Sequence, residues 1–197
     1  MLFLPGFILV DEQLINFFIS KPILDTERLC LRNLRAEDAE DIFAFTSLEQ
    51  TTGFLSWYPH HSIDNTREFI NAVIEKAKKS LPNQWVMELK AEKKVIGIAG
   101  FIDFNEEHKK AEIAFVQSPA FSGNGCMTEA LSKILDFGFN QCLLKRIQAK
   151  AEVENTASVK LLLRIGMEKE GVLKSFIYRK NAFRDYVMLA SINKNVE

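Results

Sequence analysis

Apolar residues recur along this chain with two different periods, and the switches between them mark its elements. Leu29 and Leu31 alternate with Arg28, Cys30 and Arg32, as a half-buried strand requires. Ala36-Glu-Asp-Ala39 then opens a helix with acids in its first turn, from which Ile42, Phe43 and Phe45 are expected to turn inward. Ser62 to Asp64 supply capping residues ahead of Phe69, Ile70, Val73, Ile74 and Ala77 at helical spacing, which predicts a second helix with Lys76, Lys78 and Lys79 near its end. Residues 84–90 and 95–103 read as two strands joined by the polar turn Ala91-Glu-Lys-Lys94, and residues 111–117 as a third. A glycine turn around Gly123 and Gly125 runs straight into a helix whose Met127, Leu131, Ile134, Leu135 and Gly138 share one face. Residues 146–151 alternate again as a strand. Asn155 is a good N-cap, Val159, Leu162 and Leu163 form the predicted buried stripe, and Gly166 sits where a helix ends in the left-handed conformation. Two strands, about residues 167–179 and 183–192, complete the pattern.

Neither a low-complexity linker nor an internal repeat interrupts this alternation after Pro22, so one mixed domain, residues 22–197, is expected behind a hydrophobic extension, residues 1–21. The extension is apolar enough to resemble a signal-peptide core. It lacks a basic leading region, however, and Asp11 and Glu12 interrupt it well short of the roughly 20 apolar residues a membrane span needs. It reads as a segment packing on the domain or on a partner, and no membrane association is expected.

With 197 residues, 47% hydrophobic and 26% charged, the chain can bury one well-formed core. A formal net charge of -1 supplies no global field for a nucleic-acid backbone, so direct nucleic-acid binding is not expected. Cys30, Cys126 and Cys142 are an odd count without metal-ligand spacing, and the reading is a reducing cytoplasm. His60, His61 and His108 also lack ligand partners at useful spacing, and no metal is assigned.

The glycine turn carries the candidate chemistry. A turn leading into a helix leaves unpaired N–H groups and a positive helix end facing one small volume, which suits phosphate. No Gly-Lys-Ser/Thr follows, so it is not a P-loop, and Thr128 stands where a dinucleotide fingerprint needs its third glycine. By itself the turn is equally an ordinary strand-to-helix connection.

Several segments in order make the reading specific. Thr26-Glu-Arg-Leu-Cys-Leu-Arg32, Ala36-Glu-Asp-Ala39, Val95-Ile-Gly-Ile-Ala-Gly100, Ala111-Glu-Ile-Ala-Phe115, the glycine turn with Thr128-Glu-Ala130, and Asn155-Thr-Ala-Ser158 through Gly166-Met167 resemble the GNAT-superfamily N-acetyltransferases. The similarity is to the branch that acetylates the amino-terminal residue of ribosomal proteins, and it covers about residues 22–193. It implies an α/β (α+β) fold with a mixed, mostly antiparallel sheet of about seven strands and flanking helices. It also implies acetyl-CoA as donor.

On that resemblance, the backbone of Phe115, Val116 and Gln117 pairs with the pantetheine arm. Amides of Ser122, Gly123, Asn124, Gly125, Cys126 and Met127 hold the pyrophosphate, with Asn155 and Ser158 completing the cofactor set. The sequence departs from the family pattern at Ala120, where Gln or Arg is usual, at Asn124, where a basic residue is common, and at Cys126 and Met127. These changes are expected to weaken phosphate binding modestly, because backbone donors supply most of it.

Thioester aminolysis needs a proton acceptor, an oxyanion donor and a group that protonates or solvates the thiolate. The Phe115 N–H is the candidate donor, and Ser158, in the first turn of the helix capped by Asn155, is the candidate acid. A plain capping serine is its alternative. Glu112 is the candidate base, acting through water, with a solvated strand glutamate as its alternative. Tyr178 and Asp185 are weaker choices for that base, and Glu129 reads as structural. Trp57, Tyr58 and Tyr178 are the candidate acceptor-binding residues, Trp57 and Tyr58 on a loop that a surface role explains equally well. Cys126 as a nucleophile is set aside in favour of a small apolar role.

The expected function is therefore acetyl transfer to a primary amine by direct attack, the acceptor being the N-terminal α-amine of a protein such as a ribosomal protein. Acetylation of a small amine or antibiotic is one alternative, and a non-catalytic acyl-CoA-binding interaction module is the other. Self-association as a homodimer is left open.

Overall fold

The computed structural model describes residues 22–78 and 84–196. The hydrophobic extension lies outside the described residues, as do Lys79 and the side chains of Lys76, Ala77 and Lys78. Among the described residues there are eight strands: β1 (Leu24–Asp25), β2 (Leu29–Arg32), β3 (Gln84–Leu89), β4 (Lys94–Asn105), β5 (Lys110–Gln117), β6 (Arg146–Glu152), β7 (Glu168–Arg179) and β8 (Ala182–Ile192). Five α-helices accompany them: α1 (Ala39–Thr46), α2 (Glu49–Thr52), α3 (Ile63–Lys78), α4 (Cys126–Asn140) and α5 (Thr156–Arg164). The strands form one sheet in the order β1-β2-β3-β4-β5-β6-β8-β7. All neighbours are antiparallel except β5 and β6.

The eighth strand is the two-residue β1, which pairs Leu24 with Leu31 and Asp25 with Cys30. So short a strand has no period to read. Short α2 was likewise unmarked in the pattern, since Glu49-Gln-Thr-Thr52 carries no apolar stripe.

Each face of the sheet has its own core. Met127, Ala130, Leu131, Ile134 and Phe137 of α4 pack on one face against Leu29, Leu31, Trp85, Ile113 and Ile147. Trp85 stands edge-on to Phe101 and Phe137 and donates from Nε1 to Pro22 O at 2.9 Å, anchoring the chain's entry. At Gly138 an added Cβ would lie 2.7 Å from Ile147 Cδ1 and 3.0 Å from Phe101 Cζ, so glycine lets α4 close on the sheet. On the opposite face Ile42 and Phe45 of α1 and Ile70 of α3 cover Val86 and Ile98. There Arg32 forks onto Asp38 at 2.7 and 2.9 Å and reaches Glu88 at 2.7 Å, fixing the approach to α1.

One residue expected to be buried is exposed. Leu163 is 47% exposed, while Leu162 is buried and Val159, Leu161 and Ile165 pack beside it. α5 docks with its arc centred on Leu162, and a further helical step of about 100° carries Leu163 out to solvent.

Candidate active site

β5 and β6 pair over three positions only, Lys110 with Arg146, Ala111 with Ile147 and Glu112 with Gln148. Among the described residues no strand is registered against β5 on that side beyond Glu112, so the sheet opens into a wedge. The neighbouring ladder decides what faces it. Ser118 N–H donates to Ile96 O at 2.8 Å, and Gln117 stands opposite Gly97. Hydrogen-bonded and non-bonded pairs alternate along an antiparallel ladder. Val116 and Ala114 therefore bond to β4, and the amides of Phe115 and Gln117 are directed into the wedge.

The wedge belongs to a cleft of about 580 Å³. The wall on which the resemblance places the cofactor is lined by Phe115, Val116 and Gln117, then Ser122, Gly123 and Gly125 of the glycine turn, with Asn155 and Ser158 at the start of α5. Gly123 and Gly125 have φ of +83° and +77°, the left-handed region that a side chain enters at a cost, and nothing lies within 4 Å of a Cβ built on Gly123. This open cradle at the start of a 15-residue helix fits a pyrophosphate. Behind it Arg28 donates to Asn124 O at 2.7 Å and to Glu129 Oε2 at 2.7 Å, clamping the turn to β2. Burial raises the Glu129 pKa, but bonds from Thr26 and Arg28 outweigh it and hold the carboxyl below its usual range. Asn155 Oδ1 accepts from Ser158 N at 3.1 Å, so Asn155 is the N-cap and Ser158 stands in the first turn.

Side chains make the acceptor wall. Ile147, Ala149 and Ala151 belong to the α4-side core, so alternation puts Gln148, Lys150 and Glu152 on the other face of β6. Glu112 is 7% exposed there, bonded by Gln148 Nε2 at 3.2 Å and paired with Lys150 Nζ at 3.1 Å. Glu152, with its side chain 2% exposed, accepts two bonds at Oε2 from Arg179, at 2.6 and 3.1 Å. The same guanidinium donates to Gly53 O at 2.7 Å, and Lys180 reaches Thr52 O at 2.8 Å. Thus the tip of the β7–β8 hairpin is latched to the end of α2. Tyr186 lines the cleft beside Glu152; burial, and then the Glu152 charge, push its phenol above the usual value. Among the described residues two buried oxygens on this wall have no hydrogen-bond partner, Thr51 Oγ1 and Glu152 Oε1. Such an omission costs about 1–3 kcal/mol per group.

The profile of the acetyltransferase (GNAT) domain family matches residues 28–168. The chain belongs to that family. It is accordingly an acetyl-CoA-dependent N-acetyltransferase. It is 35% identical over 158 residues to the Bacillus subtilis protein named "Uncharacterized N-acetyltransferase YoaA", covering 80% of this chain and 89% of that one. It is 26% identical to the spermidine N(1)-acetyltransferase of Vibrio cholerae, over 77% of this chain and 87% of the other. A GNAT-family acetyltransferase from Bacillus anthracis superposes with a TM-score of 0.79 at 26% identity, covering 88% and 99% of the two chains.

This GNAT cleft gathers most of the sequence-named cofactor residues, but Asn124 and Cys126 stand off its lining. Asn124 offers its carbonyl to Arg28, and Cys126 is buried in the core at the first position of α4. Glu112 lies on the acceptor face behind Lys150, which lines the cleft. Trp57, Tyr58 and Tyr178 are outside the lining. Trp57 packs on His60 and Phe69, Lys180 lies over the Tyr58 ring at 5.1 Å, and Tyr178 packs edge-on to Phe183 at the surface. Asp185 is held by Lys174 at 2.7 Å and by Ser175 N–H at 2.8 Å as a hairpin staple. The cleft itself is lined on that side by Gln50, Thr51, Phe54, Leu55, Glu152 and Tyr186. The one sequence signal for Glu152 was a carboxylate at alternation from Lys150 and Gln148, four residues beyond the last β5–β6 pair.

Proposed function

We propose that this GNAT enzyme acetylates the α-amine of a polypeptide N-terminus in the cytoplasm. The observation that carries the reading is charge compensation on the acceptor wall: Glu112 is paired with Lys150 and Glu152 with Arg179. A polyamine needs uncompensated carboxylates to hold several cations, whereas a chain end with one amine does not. Exposed Tyr178 and Phe183, 62% and 65% accessible on the hairpin latched over this wall, offer apolar surface to a polypeptide following its own terminus. Free Cys30, Cys126 and Cys142 suit a reducing compartment. Residues 1–21 are assigned to a separate extension ahead of the catalytic domain.

Acetyl-CoA supplies an activated acyl carbonyl held along β5. The Phe115 N–H stabilises the developing oxyanion, a contribution of about 3 kcal/mol for a preorganised donor. Glu112 takes the proton of the attacking nitrogen through water, and Ser158 protonates the departing thiolate. The new C–N bond replaces the C–S bond, with no covalent enzyme intermediate.

Thiol release should be measured with a peptide bearing a free α-amine, with spermidine and with the same peptide blocked at its N-terminus. The reading requires the free peptide to exceed both by at least tenfold in kcat/KM. Preference for spermidine would move the enzyme to small amines. Acetyl-CoA binding without turnover of any amine would favour the non-catalytic module.

A further inference from the structure

Acetyl-CoA carries negative charge in two places, a pyrophosphate linkage and a 3′-phosphate monoester on its ribose. The glycine turn answers the first with amides and a helix end, but from Ser118 to Met127 it holds no Lys, Arg or His. A phosphate monoester bears about 1.5–2 negative charges near pH 7 and calls for cations of its own. Three basic residues line the cleft, Lys150, Lys160 and Arg164. Lys150 is committed to Glu112 at 3.1 Å, and Arg28, behind the turn, to Glu129 and the Asn124 carbonyl. Lys160 and Arg164 are exposed, and neither side chain makes an ion pair or a hydrogen bond among the described residues.

Helix geometry aligns these two. Residues three and four apart share a face, and the face of α5 that lines the cleft runs through Ala157, Lys160, Leu161 and Arg164. Arg164 lies six residues beyond Ser158, about 9 Å along the helix axis, so the cations stand away from the reacting sulfur but in the same cleft as Ser122 and Gly123. α5 itself contains no acidic side chain to neutralise them. Arginine offers a planar fork of donors and lysine a mobile point charge, and both suit phosphate oxygens. We infer that Lys160 and Arg164 form the subsite for the 3′-phosphate of the donor. Donor affinity then depends on a group remote from the thioester, and the enzyme discriminates CoA from its 3′-dephospho form. This rests on acetyl-CoA occupying the cleft with its sulfur near Ser158, as in the reading above.

The test titrates the full-length protein with CoA and with 3′-dephospho-CoA, followed by calorimetry. Wild-type protein should bind CoA about tenfold or more tightly than the dephospho form, as for loss of a charge-assisted contact. In the double variant Lys160→Gln, Arg164→Gln, altered at two exposed positions, affinity for CoA should fall about tenfold while that for the dephospho form stays within about twofold. Equal binding of the two ligands by the wild type would overturn the subsite. So would an equal loss for both ligands in the double variant, which would put the cations on the pyrophosphate, or a preference for CoA that the double variant retains. Failure of the wild type to bind either ligand would instead overturn the occupancy of the cleft by acetyl-CoA.

Discussion

The two walls of the cleft are made from different parts of the polypeptide. The cofactor wall is backbone: amides of Phe115 and Gln117 left over by the β4–β5 ladder, and a turn shaped by Gly123 and Gly125. The acceptor wall is side chain: Glu112 with Lys150, Glu152 with Arg179, Thr51 and Tyr186, contributed by five separate elements. A backbone wall tolerates changes of side chain, which is why Ala120, Asn124, Cys126 and Met127 can depart from the family pattern while the cradle persists. A wall of buried ion pairs tolerates few, because removing one partner strands the other's charge.

That contrast breaks first at Arg179. Arg179→Met leaves the Glu152 carboxylate buried with only the looser Arg184 contact at 3.7 Å, and should cost about 3–5 kcal/mol. In a domain of this size the melting temperature should drop by about 10 °C, measured by calorimetry. A shift of a degree or less would mean that the wall is not stabilised as a pair.

Ser158→Ala comes next, acting on chemistry without disturbing either wall. Its kcat should fall about 100-fold, as for loss of a general acid. The acetyl-CoA thermal shift should be retained, because the Asn155 cap bonds the Ser158 backbone N–H and survives the substitution. An unaltered kcat would reduce Ser158 to a capping-turn residue.

On the cofactor wall, Gly125→Ala forces a side chain into φ +77°. The strain should cost about 1–2 kcal/mol, and titration should show acetyl-CoA affinity lowered about tenfold with the KM for amine unaffected. Equal losses for donor and acceptor would erase the division between the walls.

The smallest expected effect is a pH dependence behind the acceptor wall. His60 lies between the hydroxyls of Thr46, at 3.1 Å, and Thr66, at 2.7 Å, and burial lowers its pKa from 6.5. A depressed folded-state pKa gives stability that is present above pH 6.5 and is lost as the pH falls through the lower folded value. Melting temperature should therefore decline from about pH 6.5 downward, and the decline should shrink in His60→Gln.

The glycine turn and the α5 cap were legible in the sequence because their determinants are local. Glycines two residues apart ahead of an amphipathic helix, and an asparagine three residues before a serine, are read directly from spacing. The mixed, mostly antiparallel sheet was accessible through the ordered similarity to GNAT proteins, whereas the strand order and the wedge came from the structure. Of the acceptor wall only Glu112 was named from the sequence. Trp57 and Tyr58 drew attention as a conspicuous aromatic loop, yet Trp57 packs on His60 and Phe69, while the unremarkable Thr51 a few residues earlier lines the cleft. Glu152 pairs with a residue 27 positions away, and Arg179 reaches Gly53 across 126. No periodicity encodes such contacts.

The sequence by itself determined the longer elements, the glycine turn and the cap, since these follow from backbone preferences over a few neighbouring residues. Tertiary structure decided which carboxylates are neutralised and which oxygens stay free. Those outcomes depend on how far β6 leaves β5 and where the β7–β8 tip meets α2, distances set by packing of the whole domain.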